Sequence, residues 1–146
     1  MVTRLASLFT LGFSVLFTPG CALNAAPITN VTVCGRSIAV SQILPPSGSG
    51  PVVLMAAPCL DSWMGGPLFP QAYRQYVELP PSRPAEGVWI PFDETAQKMM
   101  QDDYRRLWES GRLSDLDIVI IDYTFSNGVI GKFVTYTLKE LTPVTK

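Results

Sequence analysis

Histidine is absent from all 146 residues, and this absence excludes more function classes than any other feature of the sequence. Without histidine, neither a Ser-His-Asp triad nor a Cys-His nucleophile pair exists. Three cysteines also cannot supply an all-thiolate zinc site of four ligands. Charged residues make up only 16%, with a net charge of −1, which disfavours nucleic acid as a partner. We therefore expect a non-catalytic binding or assembly module with no metal and no cofactor.

The longest apolar run lies at the N-terminus. Residues 5–17 carry no charge and follow Arg4, and this run is shorter than the ~20 residues that a spanning helix needs. Thr18-Pro19-Gly20 breaks the run, and small residues follow. The pattern predicts a cleaved signal peptide over residues 1–22 and export to the periplasm or outer membrane of a Gram-negative-type bacterium. Two alternatives stay open: lipidation of Cys21 as the first mature residue, and an uncleaved anchor.

Export changes the interpretation of the remaining cysteines. If Cys21 is removed or lipidated, Cys34 and Cys59 form an even pair. An even pair in an oxidising compartment predicts a disulfide, with two separately buried thiols as the alternative.

The mature chain has two halves of different composition. Eleven of the 13 prolines lie between Pro27 and Pro91, and residues 93–146 hold most of the charges. Long helices are therefore excluded from the first half. We predict a Pro/Gly-rich segment of short strands and loops over 23–84, a folded domain over 85–141 and a tail over 142–146.

The second half has regular periodicity. The predicted elements are a strand over 88–90, a helix from the N-cap Asp93 to about Ser110, and strands over 116–125 and 129–141. Gly111 is placed to end the helix, and Asn127-Gly128 predicts a hairpin turn. The order predicts an α+β fold: a small β-α-β-β sheet with a helix on one face.

The core faces follow from spacing. The helix stripe comprises Ala96, Met99, Met100, Leu107 and Trp108, with Tyr104 at its margin. On the last strand, Val134, Tyr136 and Leu138 share the predicted core face. Asp102 and Asp103 are adjacent on the helix, about 100° apart, so we expect a solvated face and no acid–base pair.

This second half resembles a POTRA domain of an outer-membrane protein assembly factor of the BamA type. The resemblance rests on Pro91-Phe92-Asp93-Glu94, on the "RRLW" element before Gly111, and on "NGVIGK" before the last strand. It covers about residues 85–141 and implies a truncated or solitary POTRA-like domain. Leu113 departs from the pattern, which often has an aromatic residue there, and one predicted helix stands where these domains usually have two.

The resemblance also implies a function. The second strand of a POTRA sheet is an edge, on which an extended chain can add as a further strand by β-augmentation. The residues of this partner-binding edge are Asp117, Ile118, Val119, Ile120, Ile121, Asp122 and Tyr123. The implied partners are unfolded outer-membrane proteins or assembly-complex subunits, with association at the outer membrane. Two alternatives remain: an edge covered by the first half of the chain, and a secreted or lipid-anchored structural protein with no assembly role.

Overall fold

The structure is a computed structural model that describes residues 29–60 and 70–142. The predicted signal peptide over residues 1–22, with Cys21, lies outside the described residues, as do residues 61–69 and 143–146.

The described residues form five strands and two helices. In chain order these are β1 (Asn30–Val33), β2 (Arg36–Ala39), β3 (Val52–Leu60), α1 (Gln71–Arg74), α2 (Glu94–Glu109), β4 (Leu113–Thr124) and β5 (Ile130–Glu140). A 3-10 turn at Pro84–Glu86 lies between the helices. The α+β prediction is confirmed.

A mixed three-stranded sheet organises the fold. Its order is β3-β5-β4, with β5 in the centre. The β5 strand pairs in parallel with β3 and antiparallel with β4. One helix, α2, lies within the predicted domain over 85–141, and a second helix of four residues, α1, precedes it in the segment predicted to hold short strands and loops.

The first strand of this sheet is β3, and the prediction of residues 88–90 for that place was wrong. Residues 88–90 form no strand of this sheet: Val88 makes an antiparallel bridge to Arg83, and the carbonyl of Ile90 accepts from the N–H of Val53 at the start of β3. The apolar segment Val52–Leu60 is long enough to pair along most of β5. The sheet thus takes a strand from each side of the predicted boundary at residue 85.

One face of the sheet packs against α2. Leu107, Val134, Tyr136 and Leu138 are fully buried there, as their spacing predicts. Trp108 was wrongly placed on the buried stripe, because its side chain is 50% exposed. Tyr104 lies at the margin, as predicted. The core on this side is therefore built from Leu107 and the alternate residues of β5.

The opposite face of the sheet is also covered. The β1–β2 hairpin packs there, and Val33 and Val40 join a cluster with Phe133 of β5. Cys34, in the hairpin turn, is joined by a disulfide to Cys59 of β3, with their Cα atoms 6.2 Å apart. Burial on both faces explains why β3 is a nearly continuous apolar run.

Local chemistry sets the ends of α2 and the β4–β5 turn. The Asp93 carboxylate accepts a hydrogen bond from the backbone N–H of Ala96 at 3.0 Å, as an N-cap does. Gly111 ends the helix with φ 71°, and Gly128 turns the hairpin with φ 85°. Glycine adopts these left-handed conformations without the steric cost that a side chain brings.

Candidate strand-binding edge

The β4 strand forms one outer edge of the sheet. Across residues 29–60 and 70–142, its pairing partner is β5 on one side, and no strand pairs with its other side. All seven predicted edge residues, 117–123, lie within β4. The β1–β2 hairpin pairs only with itself and leaves this edge uncovered.

The hairpin turn fixes which backbone groups of β4 face outward. The N–H of Phe125 donates to the carbonyl of Val129 at 2.9 Å, so Phe125 faces β5. In an antiparallel pair, residues alternate between facing the partner and facing away. Odd-numbered residues from Asp115 to Phe125 therefore point their N–H and C=O groups at β5. Even-numbered residues point theirs away from the sheet.

Side-chain contacts agree with this assignment. The Thr135 hydroxyl, on β5, donates to the carbonyl of Val119 at 3.1 Å, so that carbonyl faces inward. The Tyr104 hydroxyl, on α2, donates to the carbonyl of Leu116 at 3.2 Å, so that carbonyl faces outward. Two independent contacts thus place odd and even residues on opposite sides.

The first part of the outward row is occupied by side chains of the protein itself. The N–H of Leu116 donates to Oδ1 of Asp115 at 2.9 Å. The N–H of Ile118 donates to Oδ1 of Asp117 at 2.8 Å. Together with the Tyr104 contact, both outward groups of Leu116 and one of Ile118 are satisfied.

The second part of the outward row is open. Within the described part of the chain, the outward groups of Ile120, Asp122 and Thr124 have no hydrogen-bond partner. Such a row of unpaired donors and acceptors is a template for another strand.

Apolar side chains flank this open row. Val119 is 39% exposed and Ile120 is 38% exposed, on opposite faces of β4. Tyr104 and Trp108 are exposed on α2 and lie one turn apart, with Tyr104 reaching the edge of β4. The charge of Asp122 is balanced by Lys132, whose Nζ lies 2.8 Å from the carboxylate. The edge therefore offers apolar contacts on both faces.

The opposite edge of the sheet, along β3, is obstructed. The N–H of Val53 donates to Ile90, and the carbonyl of Val53 accepts from Ser82, so residues 82–90 cover the start of the strand. Pro58 lacks an N–H and is tolerated in a strand only where no ladder bond is needed, which places its missing donor on the outer side. A pocket of about 300 Å³ lies beside β3, with Arg74 as its charged lining residue.

A buried carboxylate on α2 binds the chain at Glu78 and Leu79, shortly before the covering segment 82–90. Asp103 has no exposed surface and accepts from the N–H groups of Glu78 and Leu79 at 2.9 and 3.1 Å. It also accepts from the Tyr136 hydroxyl at 2.9 Å and pairs with Arg106. Burial, together with the charge and hydrogen bond of Asp103, raises the pKa of Tyr136 above its usual value.

The expectation of a solvated Asp103 was therefore wrong. Asp103 lies seven residues after Ala96 and four before Leu107, so it falls on the buried stripe of α2. That spacing indicates burial in the sequence alone, but a charged residue is usually expected on the solvated face of a helix. Asp102, one position earlier, is partly exposed and pairs with Lys98 and Arg105.

The described residues contain no group of three or more potential metal-ligating side chains. Within the same residues, no helix is long and apolar enough to cross a membrane.

Comparisons with known proteins add one structural similarity. No protein-family profile and no curated protein match the sequence. The fold is similar to "POTRA1-3 of the periplasmic domain of Omp85 from Anabaena", with a TM-score of 0.42 and 16% sequence identity. The match covers 63% of this chain and 35% of the Omp85 chain. At this level the similarity assigns neither a family nor a function.

Proposed function

We propose that this protein is a non-catalytic, POTRA-like module of the periplasm that binds extended protein segments by strand addition at β4. Its partners are unfolded outer-membrane proteins or subunits of their assembly complex. The observation that carries the proposal is the open row of backbone groups at Ile120, Asp122 and Thr124. Backbone pairing depends little on side chains, which suits the capture of many different clients.

The topology supports this function. The second strand of the β-α-β-β order, β4, lies at the edge of the sheet, where the sequence resemblance places the binding strand. The disulfide between Cys34 and Cys59 supports an oxidising compartment such as the periplasm. We further propose that the signal peptide over residues 1–22 directs the chain there.

Two neighbouring proline substitutions test the proposal. Val119 directs its N–H at β5, so Val119→Pro should break the sheet and unfold the protein. Ile120 directs its N–H outward, so Ile120→Pro should keep the fold and lose an edge donor. The probe is a fluorescein-labelled peptide of about ten residues, the length of one outer-membrane strand. Circular dichroism reports the fold, and fluorescence anisotropy reports peptide binding.

The expected result is binding by the wild type and its loss in folded Ile120→Pro. Ile120→Ala is the matched control, because it removes the same side chain and keeps the backbone donor. Equal binding by wild type and folded Ile120→Pro would exclude strand addition at this edge. Dimerisation of the wild type through β4 would also contradict the proposal.

One observation favours a second candidate, a secreted or lipid-anchored structural protein. The β1–β2 hairpin packs on the sheet and is tethered to β3 by the disulfide, as a purely structural domain would require. Failure of the wild type to bind any outer-membrane strand peptide would favour this candidate.

A further inference from the structure

We propose that the outer edge of β4 is divided into a self-capped part, Leu116 to the N–H of Ile118, and an open part, Ile120 to Thr124. The capped part stops an incoming strand from extending along the whole edge and so sets its register. The identity of the bound segment rests on the proposed function. The division of the edge does not, because it is present in the ligand-free protein.

Three hydrogen bonds make the capped part. Carboxylate oxygens of Asp115 and Asp117 accept from the outward N–H groups of Leu116 and Ile118, and the Tyr104 hydroxyl donates to the outward carbonyl of Leu116. A bond to an ionised acceptor is stronger than one between neutral groups. A partner strand would have to displace both carboxylates before it could pair here.

The two parts of the β4 edge also differ in the net charge of the side chains beside them. Asp115 and Asp117 are exposed beside the capped part, whereas Asp122 beside the open part is neutralised by Lys132. A backbone carbonyl of a partner strand placed opposite Leu116 or Ile118 would meet a carboxylate instead of an available N–H.

The open part defines the chemistry of its occupant. It presents the outward groups of three alternate residues, which pair with an extended segment of about five residues. Val119 and Ile120 are exposed on the two faces near one end of this stretch. We infer a short extended peptide segment with apolar side chains on both faces beside Val119 and Ile120.

Amide hydrogen exchange of the ligand-free protein, measured by NMR, tests the division directly. Ile118 and Ile120 are the same residue type with N–H groups on the same edge, so their protection factors are a matched pair. One hydrogen bond corresponds to roughly fivefold slower exchange, and we expect at least this difference in favour of Ile118. Equal protection of the two amides would overturn the division.

Two substitutions of Asp117 identify the cap. Asp117→Ala removes the acceptor, and the protection of Ile118 should fall to that of Ile120. Asp117→Asn removes the charge and keeps an amide oxygen that can accept, so most of the protection should remain. Loss of protection in both variants would mean that charge alone slows exchange at Ile118, and this would overturn the hydrogen-bonded cap.

The outer-membrane strand peptide provides the second readout. Bound peptide should slow exchange at Ile120, Asp122 and Thr124 and leave Leu116 and Ile118 unchanged. In Asp117→Ala, the peptide-protected region should extend to Ile118. If Ile118 is protected in the free protein but no peptide binds, the proposed function is contradicted and the division is not. If bound peptide slows exchange along the whole edge of the wild type, including Leu116 and Ile118, the division is contradicted and the proposed function is not.

Discussion

The two outer edges of the sheet differ although both belong to strands paired with the same central β5. The β3 edge is crossed at its start by residues 82–90 and lacks a donor at Pro58. The β4 edge is 12 residues long, contains no proline, and has no strand beside it among the described residues. An unpaired strand edge favours association with other chains, and proteins usually protect such edges. Among the described residues, the β3 edge is therefore covered at its start, whereas the β4 edge is uncovered.

The largest expected effect comes from breaking the closure on the β3 side. Asp103→Ala removes the carboxylate that holds Glu78 and Leu79 and leaves buried donors without an acceptor. Breaking a buried ion pair costs about 3–5 kcal/mol, so we expect a loss of unfolding free energy of this size in urea denaturation. The neighbouring Asp102→Ala should cost less than about 1 kcal/mol, since Asp102 makes surface ion pairs. Equal costs would mean that Asp103 does not anchor Glu78 and Leu79.

The disulfide should have the next largest effect. It joins the hairpin turn to the end of β3 across 25 positions of sequence. A loop of this length predicts a loss of about 3 kcal/mol when the bond is absent. The double variant Cys34→Ser, Cys59→Ser should therefore melt earlier than the wild type in calorimetry, while reductant should leave its melting temperature unchanged. A wild type that is insensitive to reductant would contradict this role.

Tyr73 should make the stability of the α1 side depend on alkaline pH. Its hydroxyl donates to Glu140 at 2.6 Å, and burial together with this carboxylate raises the pKa of Tyr73 from 10.0 to about 12. Above pH 10 the unfolded chain releases this proton and the folded protein keeps it, so stability falls as pH rises from about 10 to 12. Because Glu140 is exposed, solvent screening keeps this contribution at or below about 2 kcal/mol. In urea denaturation across this pH range, the free energy of unfolding should fall less steeply with pH for Tyr73→Phe than for the wild type. An equal pH dependence of the two proteins would contradict this role of Tyr73.

The smallest effect is expected at Ser82, on the segment that covers β3. Its hydroxyl accepts from the N–H of Ile90 at 2.8 Å, and the residue is buried. Ser82→Ala leaves that N–H without its partner, at a cost of about 1–3 kcal/mol that water reaching the site would lower. Amide exchange at Ile90 should accelerate in Ser82→Ala, with Ser126→Ala in the exposed β4–β5 turn as the control. Unchanged exchange at Ile90 would show that the hydroxyl does not hold this segment.

Local features of the fold could be predicted from the sequence. The Asp93 cap, Gly111, the Asn127-Gly128 turn and the alternation of β5 depend on neighbours within a few residues. The pairing of β3 with β5 could not be predicted, because it joins segments about 80 residues apart and competes with the closer residues 88–90. The spacing of Asp103 on α2 did indicate its burial, but its backbone partners, 24 and 25 positions away, could not be predicted.

The candidate site was predicted in part. Its residues, 117–123, came from a family resemblance, and the structure places them in an edge strand. The direction of each backbone group could not be predicted, because it depends on the bond that closes the turn between Phe125 and Val129. The caps on Leu116 and Ile118 also escaped prediction, since an aspartate in a strand favours no particular partner in the sequence alone.

The most direct test of the difference between the two edges is residue-resolved amide exchange of the wild type saturated with an outer-membrane strand peptide. We expect new protection at Ile120, Asp122 and Thr124 and unchanged exchange throughout β3. New protection along β3, or none along β4 at saturation, would contradict it.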